Sequence, residues 1–210
     1  MKKRRLIVLD VDSTLIENEV IELLAKCAGT LDLVAKITDR AMRGELDFST
    51  SLKERVATLE GLPESIFDEV RQEIVVTQGV PRLIEETHVA GGWVGVVSGG
   101  FHEVLDPLAR QLNLDFWKAN RLEIKDGKLT GRVSANIVDA KAKAEALMDW
   151  AREKSIPLSD TVAIGDGAND LEMMAVAGLS IAFNAKPIVR EKAKVCVDQR
   201  DMSLVLDYLD

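Results

Sequence analysis

Short apolar runs recur along the chain, each bounded by polar residues or glycine. They lie at residues 6–9, 94–97, 161–164, 179–183 and 195–197. A continuous apolar run of this length is typical of a strand that is buried on both faces. Stretches with helical spacing separate the runs, and the chain closes on a helix predicted at residues 203–209. This alternation predicts an α/β fold, a Rossmann-like and mostly parallel sheet with helices on both faces.

A long stretch of helical periodicity separates the first two predicted strands. Its apolar residues recur three or four positions apart in three blocks, residues 20–24, 31–37 and 52–59. Glycine breaks the blocks apart at Gly29, Gly44 and Gly61. The pattern predicts a small helical-bundle cap of four helices over residues 16–77, inserted after the first strand. Residues 1–15 and 78–210 would form the α/β core.

The sequence between residues 122 and 129 follows a different pattern. Asp126-Gly127 stands between two short extended runs. This dipeptide is a strong signal for a two-residue hairpin turn, because both of its residues tolerate a positive φ. We therefore predict a β-hairpin flap beside the sheet.

Composition narrows the range of partners. The 210-residue chain has 27 basic and 35 acidic side chains and a net charge of -8, which argues against nucleic acid or an anionic membrane as a partner. Cys27 and Cys196 lack the spacing of a zinc site or a disulfide framework, so we expect both to be reduced and buried. Only four apolar residues precede Asp10, so we expect no secretion or membrane segment and a cytoplasmic protein.

The first candidate catalytic or metal-binding residues lie where the first predicted strand ends. Asp10-Val11-Asp12 directly follows the run at residues 6–9, and ligands of open α/β sheets bind beyond the carboxyl ends of the strands. Two neighbouring carboxylates repel each other in a confined site, but a divalent cation can neutralise one while the other holds a proton. Because aspartate is common in turns, the pair gains weight only from a second acidic set.

That second set follows the run at 161–164, in Gly165-Asp166-Gly167-Ala168-Asn169-Asp170. Between the two sets, a third predicted strand begins at Val94 and ends in Ser98-Gly99-Gly100-Phe101, and glycine lets backbone N–H groups approach an anion closely. A phosphate dianion also needs a cation to balance it. Lys141 and Lys143 open a predicted helix at a suitable place, and we expect one of them to fill this role.

Four motifs in this order resemble those of the haloacid dehalogenase superfamily, and in detail those of its phosphoserine phosphatases. They are Asp-x-Asp-Ser-Thr at 10–14, Ser-Gly-Gly-Phe at 98–101, a lysine, and Gly-Asp-Gly-x-Asn-Asp at 165–170. The resemblance covers nearly the whole chain. Lys143, which is followed by Ala144 and Glu145, matches the family's Lys-x-Glu pattern better than Lys141. Ala135 stands where relatives often carry glycine.

The resemblance implies a role for each matching residue. Asp10 would be the nucleophile and Asp12 the general acid and base. The phosphate contacts would come from Ser98, the Gly99 N–H, Lys143 and Asn169. A Mg2+ ion would bind the carboxylates of Asp10 and Asp166 and the backbone carbonyl of Asp12, while Asn169 and Asp170 orient the metal waters and the lysine. Four residues of the cap fall where the family grips its substrate: Glu19, Met42, Phe48 and Arg55.

The implied reaction is the hydrolysis of O-phospho-L-serine through an aspartyl-phosphate intermediate, the last step of serine biosynthesis. A related phosphatase or phosphotransferase acting on another small ester, such as phosphohomoserine or phosphothreonine, stays open, because one methyl group changes binding by only about 1 to 3 kcal/mol. The chain lacks the G-x-G-x-x-G after the first strand and the G-K-[ST] of other phosphate-binding folds. We expect a monomer or a homodimer with a small-molecule substrate.

Overall fold

Six parallel strands form the main sheet of the protein. The computed structural model describes residues 3–134 and 136–209, so Ala135 lies outside the described residues. The strand order is β3-β2-β1-β6-β7-β8. The strands are β1 (Leu6–Leu9), β2 (Trp93–Phe101), β3 (Phe116–Asn120), β6 (Thr161–Gly165), β7 (Leu179–Phe183) and β8 (Val195–Val197). The predicted parallel sheet is thus confirmed, with the first strand of the chain at its centre.

Helices cover both faces of this sheet. Alternate residues of β1 belong to two apolar clusters, because successive side chains of a strand point to opposite faces. Ile7 and Leu9 belong to one cluster, and Leu6 and Val8 to the other. The helices after the first strand are α1 (Val20–Ala28), α2 (Leu31–Met42), α3 (Phe48–Ala57), α4 (Ile66–Glu73), α5 (Val80–Val89), α6 (His102–Gln111), α7 (Ala140–Glu153), α8 (Leu171–Val176) and α9 (Pro187–Arg190). The chain closes on a 3-10 helix at Met202–Tyr208.

Four helices, α1 to α4, lie between β1 and α5, and we call them the insert. They break where the sequence predicts, with Gly29 in the left-handed conformation after α1 and Gly44 after α2. Buried residues from three of these helices, Leu24, Val34 and Leu52, belong to the same apolar cluster. The division into a core of residues 1–15 and 78–210 and a cap of residues 16–77 stays a prediction.

The predicted hairpin forms from β4 (Leu122–Lys125) and β5 (Lys128–Val133). Asp126 and Gly127 both have positive φ, at 52° and 72°, as the turn requires. Backbone hydrogen bonds then join this hairpin to the chain between α3 and α4. The Leu129 N–H donates to the Leu62 carbonyl at 2.9 Å, and the Gly61 and Glu64 N–H groups donate back to the hairpin, both at 2.9 Å. The hairpin is therefore attached to the insert as well as to the sheet.

One expectation from the sequence is confirmed and another needs correction. Strand β2 continues through Ser98 and the two glycines to Phe101, as predicted, and its register with β3 shifts between Val97 and Phe101. Cys27 and Cys196 are exposed rather than buried, because Cys27 lies in the last turn of α1 and Cys196 in the edge strand β8. Within the described residues, no helix has the length and apolar character needed to cross a membrane.

Candidate active site

The chain turns sharply where β1 ends. The Asp10 N–H donates to the Ile164 carbonyl at 2.9 Å, which continues the pairing with β6 by one residue. An irregular helical turn (Val11–Leu15) follows, in which Ser13 has a φ of 58°. The Val20 N–H, at the start of α1, donates to Oδ1 of Asp12 at 2.9 Å. The turn thereby places two carboxylates at the carboxyl edge of the sheet and ties the second one to the insert.

Lys143 is fully buried, with 0% of its surface exposed. Its Nζ lies 2.6 Å from Oδ1 of Asp10 and 2.8 Å from Oδ1 of Asp170. Burial alone would lower the pKa of Lys143, but the two carboxylates raise it, so the side chain stays an ammonium group. Lys141 is exposed and lies 3.7 Å from Glu145. Of the two candidate lysines, Lys143 is thus the one that reaches the carboxylates.

Asp12 contacts Ser98, a serine within β2. Ser98 Oγ donates to Oδ2 of Asp12 at 3.2 Å, and it accepts from the Gly100 N–H at 2.7 Å. Burial raises the pKa of Asp12 to about 7, with Glu19 adding to the rise and the Val20 N–H opposing it. A carboxyl group with this pKa can hold a proton near neutral pH and release it during a reaction.

Three carboxylates could hold a metal ion. One oxygen each from Asp10, Asp166 and Asp170 lies within 4.8 Å of the others. Burial and the charge of Asp170 raise the pKa of Asp10, although Lys143 opposes this, and burial raises the pKa of Asp166 to about 6. Asp170 already accepts from Lys143 and from the Asp166 and Gly167 N–H groups. Asp10 and Asp166 are therefore the better ligands, and their hard oxygen donors suit Mg2+.

A cavity of about 780 Å³ separates the insert from the carboxyl edge of the sheet. All four predicted substrate-gripping residues line it from the insert side: Glu19, Met42, Phe48 and Arg55. The sheet side is lined by Asp10, Asp12, Gly99, Asp166 and Asn169, among others. Ser98, Lys143 and Asp170 are buried behind this wall, with at most 1% of their surface exposed.

The insert residues differ in their surroundings. Met42 is 72% exposed, at the mouth of the cavity. Glu19 accepts from Ser13 Oγ at 2.6 Å. Burial lowers the pKa of Arg55, with Glu19 and Asp12 opposing the shift. Phe48 lies directly over Gly99. The insert wall of the cavity therefore carries two acidic side chains, Glu19 and Glu22, and the basic Arg55, and it faces three carboxylates on the sheet wall.

Two buried polar residues at this edge escape a reading of the sequence alone. Thr14 Oγ1 lies 3.3 Å from Oδ1 of Asp166, and Thr14 is fully buried. Asn120, at the end of β3, is hydrogen-bonded to the backbone of Gly99 and Val138. Thr14 stands inside the first motif, which could have singled it out. Asn120 belongs to none of the motifs, and its position at the end of a strand is the one feature of the sequence that could have indicated it.

Comparison with known proteins agrees with this geometry. Residues 7–175 match the model of the haloacid dehalogenase-like hydrolase family. The phosphoserine phosphatase of Lactococcus lactis subsp. lactis (strain IL1403) is 49% identical over 210 residues, which are 100% of this chain and 97% of the relative. That of Methanocaldococcus jannaschii is 46% identical and covers 99% of both chains. A solved structure described as a phospho-aspartyl intermediate analogue of phosphoserine phosphatase superposes with a TM-score of 0.93, at 45% identity and full coverage of both chains.

Proposed function

This chain belongs to the haloacid dehalogenase-like hydrolase family, and we propose that it is a Mg2+-dependent phosphoserine phosphatase. It would hydrolyse O-phospho-L-serine to L-serine and phosphate through an aspartyl-phosphate. The observation that carries the proposal is the cavity itself, with Asp10 and Asp12 on one wall and Glu19 and Arg55 on the other. One wall suits a phosphate ester and the other suits an amino acid.

Asp10 is the proposed nucleophile. Lys143 donates to its Oδ1, and in the described residues no hydrogen bond reaches the other carboxylate oxygen. That oxygen would form a bond to phosphorus as the bond from phosphorus to the serine oxygen breaks. Splitting the displacement into two steps lowers the barrier of each. Water would then attack the aspartyl-phosphate and release phosphate.

Asp12 is the proposed general acid and base. Its pKa of about 7 lets it carry a proton when substrate binds. It would give that proton to the departing serine oxygen and later take one from the attacking water. The Val20 N–H and the Ser98 hydroxyl hold the carboxylate in place, so the proton moves from a fixed position.

The phosphoryl group would be bound by fixed donors rather than by mobile side chains. Ser98, the Gly99 N–H and Lys143 are the proposed donors, with Asn169 on the cavity wall beside them. Phosphoryl transfer depends mainly on positioning and on charge stabilisation. Lys143 is held by two carboxylates and lies behind the wall of the cavity, so it would act with little rearrangement.

Mg2+ would be held by the carboxylates of Asp10 and Asp166 and by the backbone carbonyl of Asp12. When bound, the ion supplies positive charge that offsets the charge of the phosphate and of the carboxylates. Asp170 would keep Lys143 and the backbone of residues 166 and 167 in place through the hydrogen bonds described above. Thr14 would do the same for the Asp166 carboxylate.

Substrate choice would come from the insert. Arg55 would bind the carboxylate of phosphoserine, because its planar guanidinium suits two parallel hydrogen bonds. Glu19 would pair with the ammonium group of the substrate. Phe48 and Met42 would cover the short serine side chain and leave little room for a larger alcohol. A role as the last step of serine biosynthesis, a cytoplasmic location and a monomeric or homodimeric state stay predictions from the sequence.

The test is phosphate release from O-phospho-L-serine with Mg2+, compared with phosphothreonine, a sugar phosphate and an EDTA control. We expect a metal-dependent preference for O-phospho-L-serine that Asp10→Asn abolishes. Arg55→Lys should raise KM for O-phospho-L-serine by about tenfold while changing hydrolysis of p-nitrophenyl phosphate little, because the latter has no carboxylate. Equal rates with all esters would contradict the proposed substrate, and an active Asp10→Asn would contradict the proposed nucleophile.

A further inference from the structure

Asn120 is a buried amide at the end of β3, and 1% of its surface is exposed. Its Nδ2 donates to the Gly99 carbonyl at 2.8 Å, and its Oδ1 accepts from the Val138 N–H at 2.8 Å. One side chain thus joins two backbone segments that are far apart in the sequence. A buried amide is costly unless both of its ends are hydrogen-bonded, and here both ends are used.

The hydrogen bond from Asn120 to the Gly99 carbonyl restricts a backbone segment that is otherwise flexible, because it consists of two glycines. Gly99 and Gly100 follow each other and lack the Cβ atoms that limit φ and ψ in other residues. The peptide group between them is held at both ends, its carbonyl by Asn120 and its N–H by Ser98 Oγ. This peptide is joined to the one that carries the Gly99 N–H through the φ and ψ of Gly99, so holding it limits the directions that the Gly99 N–H can take. That N–H is one of the phosphate donors named above.

The bond to Val138 fixes the start of the helix that carries Lys143. Val138 precedes Asp139, whose carboxylate accepts from the Ala142 N–H at 2.9 Å and so caps α7. The Lys143 N–H in turn donates to the Asp139 carbonyl at 3.0 Å. A shift of residue 138 would therefore move the first turn of α7, and Lys143 with it.

We propose that Asn120 is a positioning residue, which holds the Gly99 peptide and the start of α7 in a fixed position relative to each other. The Gly99 N–H and the Lys143 ammonium then meet the same phosphoryl group. This inference rests on the proposed function, because it assumes that both groups bind phosphate. Asn120 lies behind the cavity wall and acts through the two backbone segments, without touching the substrate.

Two substitutions separate the two hydrogen bonds. Asn120→Leu has a similar volume and removes both. Asn120→Asp keeps an acceptor for the Val138 N–H but places a carboxylate oxygen against the Gly99 carbonyl. Thr161→Val is the matched control, because the buried Thr161 hydroxyl also bridges two backbone groups, the Leu158 carbonyl at 2.8 Å and the Gly178 N–H at 3.2 Å. Thr161 is the first residue of β6, so it lies at the amino ends of the parallel strands, whereas the cavity lies at their carboxyl ends.

The measurements are the melting temperature, the dissociation constant of inorganic phosphate with Mg2+ present, and kcat with O-phospho-L-serine. We expect both Asn120 variants to weaken phosphate binding about tenfold and to lower kcat about tenfold to one hundredfold. Thr161→Val should lower the melting temperature and leave phosphate binding unchanged.

Asn120 variants that lose only thermal stability, as the control does, would overturn the inference. If Asn120→Leu does not fold, Asn120→Asp alone decides between these outcomes. The phosphate measurement needs no substrate, so it is independent of the ester specificity. Wild-type protein that binds phosphate but leaves O-phospho-L-serine intact would overturn the proposed function without overturning the inference.

Discussion

The ring of Phe48 fills the space that a side chain at Gly99 would need. A β-carbon built on Gly99 would lie 2.7 Å from Cζ of Phe48, closer than real carbon atoms approach each other. Phe48 opens α3 of the insert, and Gly99 belongs to the sheet. The contact therefore joins the two walls of the cavity at the point where the phosphoryl group is proposed to bind.

Gly99→Ala should lower kcat/KM for O-phospho-L-serine by about tenfold or more. The added methyl group would displace the Phe48 ring from its place over Gly99, where the phosphoryl group is proposed to bind. Phe48→Leu in the same chain removes part of the colliding ring and should recover some of the loss. Steady-state kinetics of the wild type, both single variants and the double variant measure this coupling. Purely additive effects would show that the two residues act separately.

Lys143→Met should abolish measurable turnover and lower the free energy of unfolding by about 3 to 5 kcal/mol. The substitution leaves Asp10 and Asp170 buried without their ammonium partner. Lys141→Met is the control, since Lys141 is exposed and forms an ion pair with Glu145; an exposed pair of this kind contributes at most about 0.5 kcal/mol. Denaturant unfolding at neutral pH gives both values. Equal losses of turnover and of unfolding free energy in the two variants would contradict the role of Lys143 as the partner of Asp10 and Asp170.

Mg2+ should raise the melting temperature of the wild-type protein but not that of Asp166→Asn. A ligand that binds only the folded state stabilises it by about 2.7 kcal/mol at one hundred times its dissociation constant. Asp149→Asn is the control, because Asp149 is an exposed aspartate of α7 that pairs with Arg152. Calorimetric scans with MgCl2 and with EDTA test this. A metal-dependent shift that survives in Asp166→Asn would rule out Asp166 as a ligand.

Asp106→Asn should destabilise the protein at neutral pH, by an amount that shrinks in acid. Burial raises the pKa of Asp106, but hydrogen bonds from His102, Trp117 and Arg121 together lower it below its usual value. A carboxylate whose pKa is lowered by folding stabilises the folded state above its unfolded pKa, near 3.8. This contribution is lost as the pH falls through the lower, folded pKa.

Melting temperatures of the wild type and Asp106→Asn from pH 3 to pH 7 would reveal this dependence. We expect the two curves to separate above about pH 4, near the usual pKa of the carboxyl group, and to converge below it. A constant difference across the range would mean that the charge of Asp106 plays no part. The His102 ring accepts from the Ala119 N–H through Nε2, so it donates to Asp106 through Nδ1 and need not be charged.

Much of the fold follows from the sequence because the central strands are buried on both faces. Residues 6–9 and 195–197 form uninterrupted apolar runs, residues 179–183 form one that is interrupted at Ser180, and the structure has strands with these bounds. The extension of β2 through Gly99 and Gly100 rests on no such apolar run. Glycine carries no apolar signal and is disfavoured in strands, and here the pairing of Phe101 with Asn120 on the neighbouring strand extends it.

The residues of the candidate site also fall into two groups, those that the sequence predicts and those that it does not. Asp10, Asp12 and Asp166 could be placed at one edge because the carboxyl ends of parallel strands meet there. The preference for Lys143 over Lys141 came from the family's Lys-x-Glu pattern, because spacing alone does not give the rotation of α7 about its axis. Asn120 could not be found, because its two partners are backbone groups and any residue type supplies those. Contacts to backbone atoms leave no pattern in the sequence.

The central position of β1 also affects how the chain can fold. Leu6 pairs with Trp93 on one side and with Thr161 on the other. Both partners are synthesised long after β1, at roughly 5 to 20 residues per second. Contacts that are so distant in sequence close slowly, whereas the contacts among the insert helices themselves are closer in sequence. We therefore expect the insert helices to form before β1 pairs with its neighbours. The carboxylates at the end of β1 would then reach Lys143 and Asp166 only when the sheet assembles.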